Sequence, residues 1–370
     1  MKKSCMISLV IFQISSAPVV VYACTGIALK ARDSSMVYGR TLEFAQPLDS
    51  EILCVPRNYA FTGTGPDGKK NGLAWKSTYA VVGANAYQLP CFVDGVNEKG
   101  LAGGLFYFPE YAQYQAVSGE QVSHSVGSWE LLTLLLTTCA TIEAAKKTLS
   151  TVFVSNVPLS LTHTVQPIHV ILHDPTGACM VIEYVKGMLT VHDNPLRVIT
   201  NSPSFEWHIT NLRNYINLSN VNVPQVKLSD ISLVPAGQGS GMLGLPGDFT
   251  PPSRFVRAVA FSQSSPTPAN ARQAVDAVFH ILNLFDIPTG SVREKTKKGI
   301  FMESTQWTSA VDMSTQKYYF HTYHNRTVRM IDLHACNIQA AQIVRIPMQQ
   351  PAVVVDISPG VESSSRSCSP

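Results

Sequence analysis

The sequence predicts an α+β fold in which antiparallel sheets are covered by helices. Three observations lead there. Alternating apolar and polar residues recur in hairpin blocks joined by short turns. Apolar residues at helical spacing fill separate segments between those blocks. The composition is 45% hydrophobic and only 14% charged over 370 residues, enough apolar material for a large core.

The elements follow in order. "CTGIALKARDSSMVYGRTLEF" predicts two strands around the turn Arg32-Asp33-Ser34-Ser35. "SWELLTLLLTTCATIEAAKKTLS" predicts a helix, a break near Thr141 and a second helix. The apolar run Leu131 to Leu136 is too short to cross a bilayer and belongs to a buried helix. "IHVILHDPTGACMVIEYVKGMLTVHD" predicts a β-meander with turns at Asp174-Pro175-Thr176-Gly177 and Lys186-Gly187. "ANARQAVDAVFHILNLFDIP" predicts a helix that ends before Pro288, and "WTSAVDMSTQKYYFHTY" and "RTVRMIDLH" predict late strands. The formal charge of +3 supplies no basic field for nucleic acid, and Arg293-Glu294-Lys295-Thr296-Lys297-Lys298 reads as a solvated loop.

The N-terminus is laid out as a secretory leader. Lys2 and Lys3 precede an apolar run from Met6 to Ile14, and Val21-Tyr22-Ala23 supplies the break. Residues 1–23 are therefore expected to be a signal peptide, the chain after them one large domain or two, and the Ser-rich residues 353–370 a flexible tail. The expected location is exported, periplasmic or secreted, with no membrane span once the leader is removed. Cleavage after Ala23 would make Cys24 the first residue; the same position is where bacterial lipoproteins are lipidated, which would block the amine. One of the eight cysteines, Cys5, lies in the leader. The six beyond Cys24 are scattered without a CxxC pair, so their pairing cannot be read from the sequence. His169 with His173, and His321 with His324, lack partners at ligand spacing, and neither a metal nor any other cofactor is expected.

Gly239-Ser240-Gly241-Met242-Leu243-Gly244 matches a dinucleotide fingerprint in letters only. Pro246 and Pro251-Pro252 follow it, so these glycines form a loop instead of opening a helix after a strand.

A mature N-terminal cysteine carries its own base. A thiol needs a proton acceptor to become a good nucleophile, and an α-amine with an ordinary pKa of about 8 sits within the same residue. What the pair still lacks is a nearby cation, a group to orient the amine and donors for an oxyanion.

Four ordered blocks carry a resemblance. They are Cys24-Thr25-Gly26 with Gly39-Arg40; Asp94 to Leu101 (DGVNEKGL); Thr200-Asn201-Ser202-Pro203 with Phe205 and Trp207-His208; and the loop from Gly237 to Phe255. In these the chain resembles the choloylglycine hydrolases, N-terminal-nucleophile amidases that include conjugated bile salt hydrolases and penicillin V acylases. The resemblance runs from Cys24 to about Tyr323. It implies a four-layer αββα sandwich of two antiparallel sheets, with residues 24–352 as the catalytic amidase domain. It also implies roles: Cys24 as nucleophile, Arg40 as the cation beside the thiol, Asn201 and the Tyr107 N–H as oxyanion donors, and Arg254 as a charge-stabilising group. Glu43 stands where the family usually has aspartate to orient the amine, and Tyr107 stands where bile salt hydrolases have asparagine and penicillin V acylases tyrosine.

The implied activity is hydrolysis of a linear amide with a hydrophobic acyl part, conjugated bile acids ranking first. The alternatives are penicillin V or N-acyl homoserine lactones. The expected partner is thus a small-molecule amide; a homo-oligomer is left open. Two readings from other classes stand beside it: a non-catalytic secreted binding protein inactivated by Glu43, and a Cys-His protease with His208 as base.

Overall fold

The structure is a computed structural model that describes residues 23–297 and 299–358. All of the expected leader except Ala23, and residues 359–370 of the expected tail, lie outside the described residues. Among the described residues no helix is long and apolar enough to cross a membrane.

Two antiparallel sheets form the centre. The strands in chain order are β1 (Cys24–Lys30), β2 (Met36–Phe44), β3 (Glu51–Val55), β4 (Val81–Asn85), β5 (Phe92–Asn97), β6 (Ala102–Tyr107), β7 (Ile168–His173), β8 (Cys179–Val185), β9 (Met188–Asp193), β10 (Val198–Ile199), β11 (Val292–Thr296), β12 (Gly299–Asp312), β13 (Lys317–Thr322), β14 (Arg329–Asp332) and β15 (Val344–Pro347). The seven-stranded sheet runs β10-β1-β2-β12-β13-β14, with β11 added on β12; the eight-stranded sheet runs β9-β8-β7-β6-β5-β4-β3-β15.

Helices complete the outer layers. α4 (Pro251–Ser264) and α5 (Ala271–Leu282) pack on the seven-stranded sheet, against β1, β2, β10 and β12. α1 (Leu131–Thr138) packs on β5 and β6 of the other sheet, and α2 (Ile142–Leu149) shares its core; α3 (Phe205–Asn211) lies beside α4. Strand alternation divides the core. On β8, Val181 joins the cluster that fills the space between the sheets, while Met180 and Ile182 pack with Leu132 and Leu135 of α1. Because β1 and β2 have a sheet on one face and helices on the other, nearly every residue in them is buried, polar ones included.

The predicted blocks appear as β1–β2, α1–α2, β7–β8–β9, α5 and β12–β14. Thr141 caps α2 by accepting from Ala144 N at 3.1 Å, which accounts for the break expected there. Two segments differ from expectation. The charged run at 293–296 belongs to strand β11, an arm paired with β12 whose residues alternate between half-buried and exposed. The proline pair after the glycine loop opens α4: Pro251 and Pro252 occupy the first helical turn, where a missing N–H costs no helical bond.

Candidate active site

Register places the first pair of groups. In the β1–β2 hairpin Cys24 lies opposite Leu42 and Gly26 opposite Arg40. Paired residues share a face, so the thiol and the guanidinium project together into the space between the sheets, two residues apart along β1. Glu43, next to Leu42 on β2, points to the other face by strand alternation, where it meets Thr305, its register partner on β12. The space for Arg40 is opened on β6: a Cβ at Gly104 would stand 3.1 Å from Arg40 Nη1 and 2.5 Å from Tyr38 Oη.

Arg40 is fully buried and bound by backbone. Nη1 donates to Leu105 O at 2.5 Å and to Val93 O at 3.1 Å, both on the eight-stranded sheet, and the guanidinium lies 4.1 Å from the Phe106 ring centroid. Burial alone would push its proton off, but the acids around it, with Cys24 first, hold its pKa above the ordinary value. Burial raises the Cys24 thiol, while Arg40, the Glu43 N–H and Arg254 pull it back toward the thiolate.

A second cluster surrounds the nitrogen of Cys24, which donates to Asn201 Oδ1 at 2.8 Å. Arg254 Nη2 donates to the same oxygen at 2.7 Å, Nη1 donates to Cys24 O at 2.5 Å and to Thr25 Oγ1 at 3.0 Å, and Nε donates to Phe249 O at 2.8 Å. Arg254 therefore ties α4 directly to the carbonyl of residue 24 and, through the shared Asn201 Oδ1, to its nitrogen. Asn201 Nδ2 donates to Tyr107 O at 2.8 Å, and His208 Nε2 sits 2.9 Å from Asn201 O. Two donors at Oδ1 and an acceptor at Nδ2 settle which way the amide points. His208 is thus held against the asparagine loop, stacked 4.6 Å from the Phe255 ring; burial lowers its pKa to about 4.

Glu43 is buried as well. Its Oε1 accepts from Thr305 Oγ1 at 2.9 Å, and among the described residues Oε2 has no partner. Burial raises its pKa to about 8, against the pull of Arg254 and the Thr41 and Thr305 hydroxyls. The Glu43 N–H donates to Ala23 O at 3.1 Å, and Ala23 N donates to Glu303 Oε1 at 2.5 Å. Burial takes the Glu303 carboxyl up to about 7.

A cavity of about 100 Å³ opens from Cys24, Arg40 and Glu43. Its wall is largely apolar and aromatic, with Leu42, Phe44, Tyr87, Leu105, Tyr107, Trp129 and Ile168, and it includes a second thiol, Cys91. The six residues singled out from the sequence, Cys24, Arg40, Glu43, Tyr107, Asn201 and Arg254, thus converge on one place, linked by the cavity and the bonds above. Sequence reasoning missed Glu303, Thr305 and the wall residues Phe44, Tyr87 and Trp129. Glu303 and Thr305 lie in the unbroken polar run Glu303-Ser304-Thr305-Gln306, which gives no alternation to single them out, and nothing local marks the wall residues.

The family model for linear amide C–N hydrolases of the choloylglycine hydrolase family matches residues 24–346. A bile salt hydrolase/transferase of Clostridium perfringens is 35% identical over 324 residues, covering 86% of this chain and 95% of that protein. The crystal structure of a variant conjugated bile acid hydrolase from Clostridium perfringens matches with a TM-score of 0.80 at 31% identity, over 90% of this chain and 100% of the other. A penicillin V acylase from Agrobacterium tumefaciens shares the fold, with a TM-score of 0.71 at 21% identity over 88% and 91% of the two chains.

Proposed function

The chain belongs to the choloylglycine hydrolase family of linear amide C–N hydrolases, and on that premise we propose that it cleaves conjugated bile acids with Cys24 as an N-terminal nucleophile. The proposal includes export and removal of residues 1–23. The observation that carries it is the shared position of three things: the Cys24 thiol beside Arg40, the Cys24 nitrogen held by Asn201, and an apolar cavity leading from both.

Freed of residue 23, the nitrogen becomes an amine that takes the thiol proton while Asn201 Oδ1 orients it. The thiolate attacks the substrate carbonyl, and the oxyanion is stabilised by two donors. One is the second N–H of Asn201 Nδ2. The other is the N–H of Tyr107, which shares a strand edge with the Tyr107 carbonyl that faces Asn201. The amine then returns the proton to the leaving nitrogen. Water, deprotonated by the same amine, opens the thioester. Arg40 favours the thiolate, Glu43 supports the ammonium form of the amine, and Arg254 fixes the backbone of residue 24. His208 spends its Nε2 on Asn201 O, which favours support of the asparagine loop over the role of general base.

Tyr107, with Phe44, Tyr87 and Trp129 in the wall, favours penicillin V as the second reading, because flat aromatic acyl groups stack on such surfaces. The deciding experiment is a hydrolysis panel of glycocholate, taurocholate, penicillin V and long-chain acyl homoserine lactones, using protein whose N-terminus is checked by intact mass. Glycocholate or taurocholate is expected to give the highest kcat/KM. Faster release of phenoxyacetate from penicillin V would replace the first reading with the second. No turnover by a protein that begins at Cys24 would favour a binding role.

A further inference from the structure

Cys54 and Cys336 are 282 positions apart, yet their sulfurs approach to 2.7 Å. Cys54 lies in β3 with a side chain buried against the core between the sheets. Cys336 is half-buried and follows the short turn Leu333–Ala335 that leaves β14, the edge strand of the seven-stranded sheet. From that turn the chain crosses to the eight-stranded sheet and adds β15 alongside β3, with Val344 opposite Cys54. The Arg57 N–H donates to Ile338 O at 2.9 Å and pins the same crossing segment. The two sulfurs therefore meet where the chain passes from the edge of one sheet to the edge of the other. Among the described residues this is the one pair of cysteine sulfurs in contact. Cys139 meets the hydroxyls of Thr138 and Thr148, and Cys179 lies beside His173.

We propose that Cys54 and Cys336 form a redox modification site, closing a disulfide that staples the two sheets together along one edge. The oxidant is a small-molecule disulfide such as oxidised glutathione. The Cys336 thiolate attacks one of its sulfurs, forming a mixed disulfide and releasing one glutathione thiolate. The Cys54 sulfur then attacks the Cys336 sulfur, and the second glutathione leaves. Two protein thiols lose two protons and two electrons, and the reagent gains them as two molecules of reduced glutathione. Cys336 is the entry point because it is the more exposed of the two, and its contact with the Cys54 sulfur favours its thiolate. Closing so long a loop limits the unfolded chain and adds stability. Both residues lie outside the Cys24 cluster, so the staple holds the sandwich without entering the chemistry.

The test uses the full chain, purified under reduction and then equilibrated with oxidised glutathione. Peptide mapping should recover a Cys54–Cys336 cross-linked peptide lacking two hydrogens, and Tm should rise by roughly 5 °C relative to the reduced protein. Cys336→Ser should remove both the cross-link and the redox dependence of Tm. The wild-type map decides the matter even if that variant folds poorly. Recovery of both residues as free, alkylated thiols after oxidation, or an equal rise of Tm in Cys336→Ser, would overturn the proposal.

Discussion

Glu43→Gln isolates the charge of a buried carboxyl while keeping its shape and its acceptor for Thr305. In the structure the nitrogen of Cys24 is still an amide that donates to Asn201, and burial raises the Glu43 pKa from 4.5 to about 8. The unfolded carboxyl ionises near 4.5 and the folded one only near 8. Between these values the folded state holds the extra proton, so stability present below pH 4.5 is lost progressively as pH rises to 8. At about 1.4 kcal/mol per pH unit the loss reaches about 5 kcal/mol, comparable with the whole stability of a marginal domain. The amide of the variant does not titrate and escapes this loss. The assay is urea unfolding at pH 5 and pH 8.5 of a protein that keeps a tag ahead of Ala23. At pH 5 the variant should lie within about 1 kcal/mol of the wild type, and at pH 8.5 it should be several kcal/mol more stable. In protein that begins at Cys24 this advantage should shrink, since the ammonium supports the ionised Glu43. There Glu43→Gln should lose most of kcat, while Glu43→Asp keeps measurable turnover. Parallel pH curves for wild type and variant in the tagged protein would refute the reasoning.

Cys24→Ser keeps an oxygen nucleophile and the α-amine but holds its proton far more tightly; kcat should drop by at least about a hundredfold with substrate affinity retained. A wild-type rate, or a loss that follows Cys91→Ser instead, would move the nucleophile elsewhere. Gly104→Ala places a methyl group 2.5 Å from Tyr38 Oη and 3.1 Å from Arg40 Nη1. It should lower stability by about 1–3 kcal/mol and reduce kcat, and an unchanged Tm and kcat would show that the seat of Arg40 is not set by this close approach.

The hairpin of β1 and β2, the meander β7–β9 and helix α5 were legible because each is coded by a period and a turn or cap within its own segment. Helix α4 begins inside the segment read as a loop from Gly237 to Phe255, because prolines 251 and 252 in the first helical turn cost no helical bond and so can open a helix. Cys24, Arg40, Glu43, Asn201, Tyr107 and Arg254 could be named from motif resemblance, and the register of one hairpin accounts for Cys24 with Arg40. The rest of the site belongs to the tertiary structure. That the Asn201 amide turns its oxygen to the Cys24 nitrogen and to Arg254 and its nitrogen to Tyr107 depends on four segments docking at once. Glu303 reaches Ala23 across 280 residues and Cys54 reaches Cys336 across 282, with no local pattern to announce either. The physical reason is range. Backbone periodicity and caps act over one or two turns of chain, whereas the pairing of distant segments is decided by the apolar area they bury together and the buried polar groups they must satisfy in common.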